Sequence, residues 1–224
     1  LRNQKMLVLF PIANYTQVNT TALPLPPIPE SKHPLVKPLA KKSDQELVHL
    51  FQQYPDQGKY FVAIFCRYAS IVYALAHAAT KSPVQSDYLF AKTWETIMHE
   101  LRQMDVTAVL GEMALQAWLV NITALTINRL ELPSVEEIQY SLHQTPPVFW
   151  CYLRQALNQL PGDLRLILLL SQTFRWSAMR IAAYLHAEGD SFSVEQVQQA
   201  LAQAYRHLES HIPEDIRSIY LTPV

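Results

Sequence analysis

The sequence predicts an all-α protein, and three observations carry that expectation. Apolar residues recur at three- and four-residue intervals through most of the chain, the period of helices with one buried face. Only four of the 224 residues are Gly, while 15 are Pro. Gly supplies the positive φ angles of hairpin turns and phosphate-cradling loops, so its scarcity argues against most all-β folds, dinucleotide-binding turns and P-loops. No stretch alternates apolar and polar residues over the length of a strand. With 50% hydrophobic and 17% charged residues, the chain has the material for a proper core, which excludes wholesale disorder.

The elements follow in order. Residues 1–43 hold seven of the 15 prolines, six Lys or Arg and one acid, and read as an extended, polyproline-like arm of charge +5. It is either a solvated tail or a basic contact arm. Ser43-Asp44-Gln45-Glu46 has the form of a capping box, and Leu47, Leu50, Phe51 and Tyr54 then share a helix face that Pro55 closes. A longer helix follows Gly58, with Phe61, Phe65, Tyr68, Val72 and Leu75 at helical spacing. A third runs from about Asp87 to Met104 on Leu89, Phe90, Trp94, Ile97 and Leu101. A fourth opens near Gly111 and buries Leu115, Trp118, Leu119, Ile122 and Leu125. All four glycines are expected between helices. Residues 44–130 thus form a first helical domain.

Residues 131–147 carry three Glu, no cation and Pro146-Pro147, and read as an acidic linker with room for a short helix around Val135–Leu142. A second helical domain spans 148–212, with helices at Trp150–Gln159, Asp163–Phe174, Ser177–His186 and Ser193–Ser210. Pro161-Gly162 separates the first two, and Ser177 is placed to cap the third. Two short helices, a turn and a longer helix make the helix-turn-helix order. Residues 213–224 are left as a tail.

The chemistry scan is sparse. Cys66 and Cys151 lie far apart without metal-spaced company, so neither a disulfide framework nor zinc is expected. His207 and His211 fall one helical turn apart, as surface histidines or half of a metal site lacking further ligands; no metal and no cofactor are expected. No nucleophile–base pair or catalytic motif appears, and the protein is expected not to be an enzyme. Phe61–Ala79 is apolar, but Arg67 and His77 interrupt it, which favours a buried helix over membrane insertion. No charged-then-apolar leader pattern opens the chain, and a cytoplasmic location is expected.

The joint order of these blocks resembles the bacterial sigma-70-type RNA polymerase sigma factors of the small two-domain, extracytoplasmic-function group, most nearly its divergent cyanobacterial members. Ser43-Asp44-Gln45-Glu46-Leu47-Val48 is similar to the family's S-D-E-E-L-V start, and Phe65-Cys66-Arg67-Tyr68 through Tyr73 to its L-Y-x-x-Y-x-x-x-V-Y. Ala117-Trp118-Leu119 with Ile122 resembles its A-W-L-x-x-I. In the second block, Leu160-Pro161, Arg165, Leu168-Leu169-Leu170, Ser177 and Ile181-Ala182-x-x-Leu185 resemble region 4.

The resemblance implies a sigma factor that binds core RNA polymerase and recognises promoter DNA, with an anti-sigma factor as a further possible partner. Region 2 would dock on the polymerase through Asp87, Phe90, Ala91, Lys92 and Glu95. It would read and melt the −10 element with a capturing loop over about 103–111 (Gln103, Asp105) and with Gln116 and Asn121. Region 4 would meet the −35 element through Arg175, Ser177, Arg180, Gln196, Gln199, Gln203 and Arg206. The chain departs from the family by losing charge. Ala91 and Lys92 stand at the family's Gln and Glu positions, Asn121 and Ala124 at basic ones, and Gln198, Ala200, Gln203 and Tyr205 where Lys or Arg is common. The turn from Leu185 to Ser193 is also about five residues longer than the family's.

The net charge of −1 hides an uneven distribution. The basic arm stands against six cations and eight acids in 44–130 and five of each in 148–212. Affinity for DNA is largely phosphate neutralisation, so such a protein must borrow it from the polymerase or have given up promoter reading for a sigma-like interaction role. The Gln residues of the last long helix either read adenine edges or merely solvate the face opposite Val194, Val197, Leu201, Ala204 and Leu208.

Overall fold

The computed structural model describes residues 27–221, and among them it contains helices, turns and no strand. The first two helices form where the sequence places them. Helix α1, Asp44–Gln53, opens on the capping box: the Ser43 hydroxyl accepts from the Glu46 amide at 3.2 Å, and the Glu46 carboxylate accepts from the Ser43 amide at 2.8 Å. Helix α2, Lys59–Ala78, is long and apolar enough by length and composition to cross a membrane, and Phe61, Ile64, Ala69 and Val72 are buried in the core.

Helix α3, Pro83–Gln103, begins four residues before its expected start, because Pro83 supplies a preset φ at the first position. Trp94 is its hub. Phe61, Phe65 and Phe90 meet the indole edge-on at 5.8, 4.9 and 6.4 Å, and Tyr73 meets Phe90 at 5.1 Å. Such aromatic pairs add about 0.5–1.5 kcal/mol each to simple area burial. Residues 106–112 form a short helix, α4 (Val106–Glu112), where a loop is expected; the Asp105 carboxylate caps it by accepting from the Ala108 amide at 2.9 Å. Gly111 therefore lies inside a helix rather than between two. Helix α5, Leu115–Arg129, completes the group by packing on α2 and α3.

Three boundaries differ from the sequence-based expectation. Helix α6, Pro147–Gln159, expected to open the second domain, packs on α3, and Val148, Cys151, Tyr152 and Ala156 join the first core. Residues 213–221 are no tail: α10, Glu214–Tyr220, buries Ile216 and Ile219 in that same core. The described part of the arm is not extended. It forms 3-10 turns at Pro29–Lys32 and Lys37–Lys41 that bury Glu30, Val36 and Leu39. Arg67 clips this strap to α2 by donating to the Lys42 carbonyl at 2.9 Å and pairing with Asp44. Residues 1–26 of the arm lie outside the described residues. In the linker, only Val135–Glu137 is helical, as one 3-10 turn, while Leu142 is buried.

The second core is smaller. Helices α7 (Gly162–Gln172), α8 (Ala178–Ala187) and α9 (Val194–His211) enclose Leu164, Ile167, Leu168, Ile181, Leu185, Val197, Ala200 and Ala204. Leu208, near the end of α9, touches both cores. The apolar interior thus changes hands near Leu157 and again near Leu208, rather than at 148 and 212.

Candidate nucleic-acid and partner interfaces

Helices α7, α8 and α9 position most of the predicted DNA-contacting side chains. The bend between α7 and α8 is made by Arg175, which takes the left-handed φ of 55° usually left to Gly or Asn. That turn lets the Trp176 amide donate back to the Leu170 carbonyl at 3.1 Å. Ser177 then caps α8, its hydroxyl accepting from the Arg180 amide at 3.3 Å. The Arg180 guanidinium lies 4.2 Å from the Trp176 ring centroid, and Tyr184 meets the same indole edge-on at 5.5 Å. Arg175 and Arg180 are exposed and belong to no ion pair among the described residues.

The longer turn into α9 pivots on Gly189 at φ 99°, where the Asp190 amide donates to the Leu185 carbonyl at 2.9 Å. Ser193 and Gln196 then form a capping box: the Gln196 side chain accepts from the Ser193 amide at 2.7 Å. Gln196 is thereby committed to its own helix and is removed from the residues free to read a base, because its amide oxygen is the acceptor the cap requires. Gln199, Gln203 and Arg206 recur at helical spacing and are exposed. Ala200, where the family commonly has a cation, is buried.

The predicted residues of the first core lie apart from this group. Gln103 is exposed at the end of α3, its amide 3.2 Å from the His99 ring, and Asp105 is the α4 cap. Gln116 and Asn121 are exposed on α5.

The predicted polymerase-facing residues need correction. Phe90 and Ala91 are both 0% exposed and cannot touch a partner. Helix α3 is covered by α2 and α5 on one side and by α6 on another, so more of its circumference is buried than a single apolar stripe implies. Lys92 pairs with Glu95, and Glu95 also pairs with Arg154 of α6 at 2.9 Å. Both cations lie by the Trp150 ring, at 5.8 and 4.8 Å. Asp87 accepts from the Tyr73 hydroxyl at 3.1 Å, and burial raises its carboxyl above the usual range.

Sequence reasoning missed two features that shape these surfaces. One is the docking of α10, legible only as the spacing of Ile212, Ile216 and Ile219. Asp215 accepts from the Gly58 and Lys59 amides at 3.1 and 2.9 Å, capping α2 from 157 residues away in the chain. The other is the aromatic group beside the α7–α8 turn, exposed Phe174 and Tyr184 on either side of half-buried Trp176. Elsewhere the chemistry is quiet. Burial, with Glu30 nearby, pushes the Cys66 thiol up to about 12, so it is held as an inert thiol. His207 and His211 stack at 3.8 Å, and no cluster of three or more metal-ligating side chains occurs among the described residues. Compared with models of known protein families and with curated proteins, the chain matches none.

Proposed function

We propose that the protein is a non-enzymatic sigma-type factor of the bacterial cytoplasm that binds core RNA polymerase and directs it to promoter DNA. One observation carries this reading. Helices α8 and α9 sit on α7 over their own core, with Arg175, Ser177 and Arg180 at the first turn and Gln199, Gln203 and Arg206 exposed along α9. Such a helix enters a major groove while the turn residues hold phosphates. The −35 element falls to this unit, and the −10 element to Gln103, Gln116 and Asn121 on the first, Asp105 being committed to the α4 cap as Gln196 is to that of α9. The predicted site supplies only three cations, each outside any ion pair among the described residues, too few for independent binding. Each phosphate contact contributes about 0.9 to the slope of log K against log salt, so Arg175, Arg180 and Arg206 together supply a slope of about −2.7. Affinity therefore comes from the polymerase.

A second reading is favoured by one contact set. Helix α6 covers the α3 surface expected to face polymerase and engages Glu95, which suits a sigma-like protein whose partner is polymerase or an anti-sigma factor and whose promoter reading is weakened. Promoter binding by the reconstituted polymerase complex, measured between 50 and 200 mM salt, tests the first. Replacing Arg175 and Arg180 together with Ala reduces the slope by about 1.8 if both hold phosphates. An unchanged slope removes them from the interface.

A further inference from the structure

From Leu164 to Ala187 the chain carries Arg165, Arg175 and Arg180 and no acid, although the whole protein is net negative. This local excess of positive charge coincides with a group of exposed apolar side chains. Phe174 is 57% exposed, Met179 71% and Tyr184 38%. Phe174 lies 6.1 Å from Trp176, and Trp176 carries Arg180 over its ring with Tyr184 at its edge. The result is a small array of aromatic rings and one planar cation, flanked by Arg175.

A duplex backbone asks for cations and polar donors, and it leaves Phe and Met faces in water. An acidic peptide would use the arginines and leave the rings idle. Unstacked nucleobases use both: their π-faces stack on aromatic rings or on a guanidinium plane, and their phosphates meet the cations. Arg180, exposed and with its guanidinium 4.2 Å from the Trp176 ring centroid, offers such a group. We infer that the α7–α8 turn binds single-stranded nucleic acid, stacking bases on Phe174, Tyr184 and Arg180 with Arg175 on the backbone. This rests on reading α7–α9 as a nucleic-acid-binding unit, and adds to it a surface distinct from the exposed side of α9.

The test uses the full chain and a fluorescein-labelled dT20 oligonucleotide, followed by anisotropy at 50 and 200 mM salt, with a dA20·dT20 duplex in parallel. The chain is expected to bind dT20 more tightly than the duplex, and more weakly at the higher salt. Phe174→Ala and Arg180→Ala should each weaken dT20 binding about tenfold, as the loss of one stacking partner does. Phe174 is mostly exposed, so its variant keeps the fold, and unchanged circular dichroism verifies this. Lys81→Ala, an exposed cation on the other core, should leave dT20 binding within twofold. No dT20 binding at 100 µM protein, or equal binding by Phe174→Ala, overturns the inference. So does a Phe174→Ala variant that binds dT20 normally but loses core polymerase, which would make the patch a protein-docking surface. Polymerase-dependent initiation is scored separately, so a chain that initiates without binding dT20 sinks this inference and spares the functional one. A chain that binds dT20 without initiating does the reverse.

Discussion

Gly58 is the point where α10 locks onto the start of α2, and replacing it with Ala tests that lock. It sits at the N-cap of α2 with φ −69°, open to any L-residue, so backbone strain plays no part. A Cβ there would overlap the side chain of Ile216 and stand 2.9 Å from Tyr152 Cζ. Both neighbours are buried, at 0% and 2% exposure, and neither has space to retreat. Overpacking of this kind costs about 1–3 kcal/mol. Pushing α10 outward also removes Asp215 from the Gly58 and Lys59 amides, a lost cap of about 1 kcal/mol. Gly58→Ala should therefore destabilise the protein by about 2–4 kcal/mol in urea unfolding followed by circular dichroism. Ile216→Ala alone should cost about 2–5 kcal/mol through the cavity it leaves. The new methyl at position 58 would occupy part of that cavity, so the double variant should lose at least about 1 kcal/mol less than the sum. Costs that add within about 0.5 kcal/mol would mean that the residues do not meet, and the docking of α10 described above would be wrong.

Other consequences are simpler to state. Glu30 is buried against the first core, and desolvation raises its carboxyl above 4.5, with its own backbone amide and the Tyr220 hydroxyl pulling in the opposite direction. A carboxyl raised on folding contributes stability that is whole below pH 4.5 and is lost as pH rises through its folded-state value. Glu30→Gln should flatten that fall and leave the protein more stable than the parent at pH 7, by urea midpoint; an unchanged pH profile would place Glu30 in solvent. Ser43→Ala, by breaking the α1 capping box, should cost about 0.5–2 kcal/mol in the same measurement. Cys66 and Cys151 should resist Ellman's reagent at pH 8 in the native chain and both react in 6 M guanidinium, since burial raises both thiols. Rapid native labelling of either would contradict its burial.

Much of the fold is legible in the sequence because helices are local. Ser43 with Glu46, Ser177, and Ser193 with Gln196 announce three starts through bonds spanning three residues. The apolar stripes of α1, α2 and α3 name core residues such as Leu47, Phe61 and Trp94. Partnership between distant segments is not local. Val148, Cys151, Tyr152 and Ala156 show that α6 has an apolar face, but nothing in their spacing says that the face belongs on α3. Likewise Asp215 looks like an ordinary first-turn acid until it is found on the amides of Gly58 and Lys59.

The candidate site divides along the same line. Gln199, Gln203 and Arg206 are exposed on α9 as their spacing leads one to expect, because exposure follows from the period of one helix. Phe90 and Ala91 fail as contact residues because α3 is covered on more than one side, a property of the assembly rather than of α3 itself. Gln196 fails for a subtler reason. The capping motif that marks the start of α9 also consumes the side chain assigned to base reading.

Transcript 5′ ends mapped from whole genomic DNA, with core RNA polymerase reconstituted with and without this chain, test the central claim most directly. The proposed function predicts a set of start sites that appears only with the chain present, shares a −10-like motif and shrinks when Arg175 and Arg180 are replaced. Stable association with the core enzyme but no chain-dependent start sites would contradict it, and would leave a sigma-like interaction protein in its place.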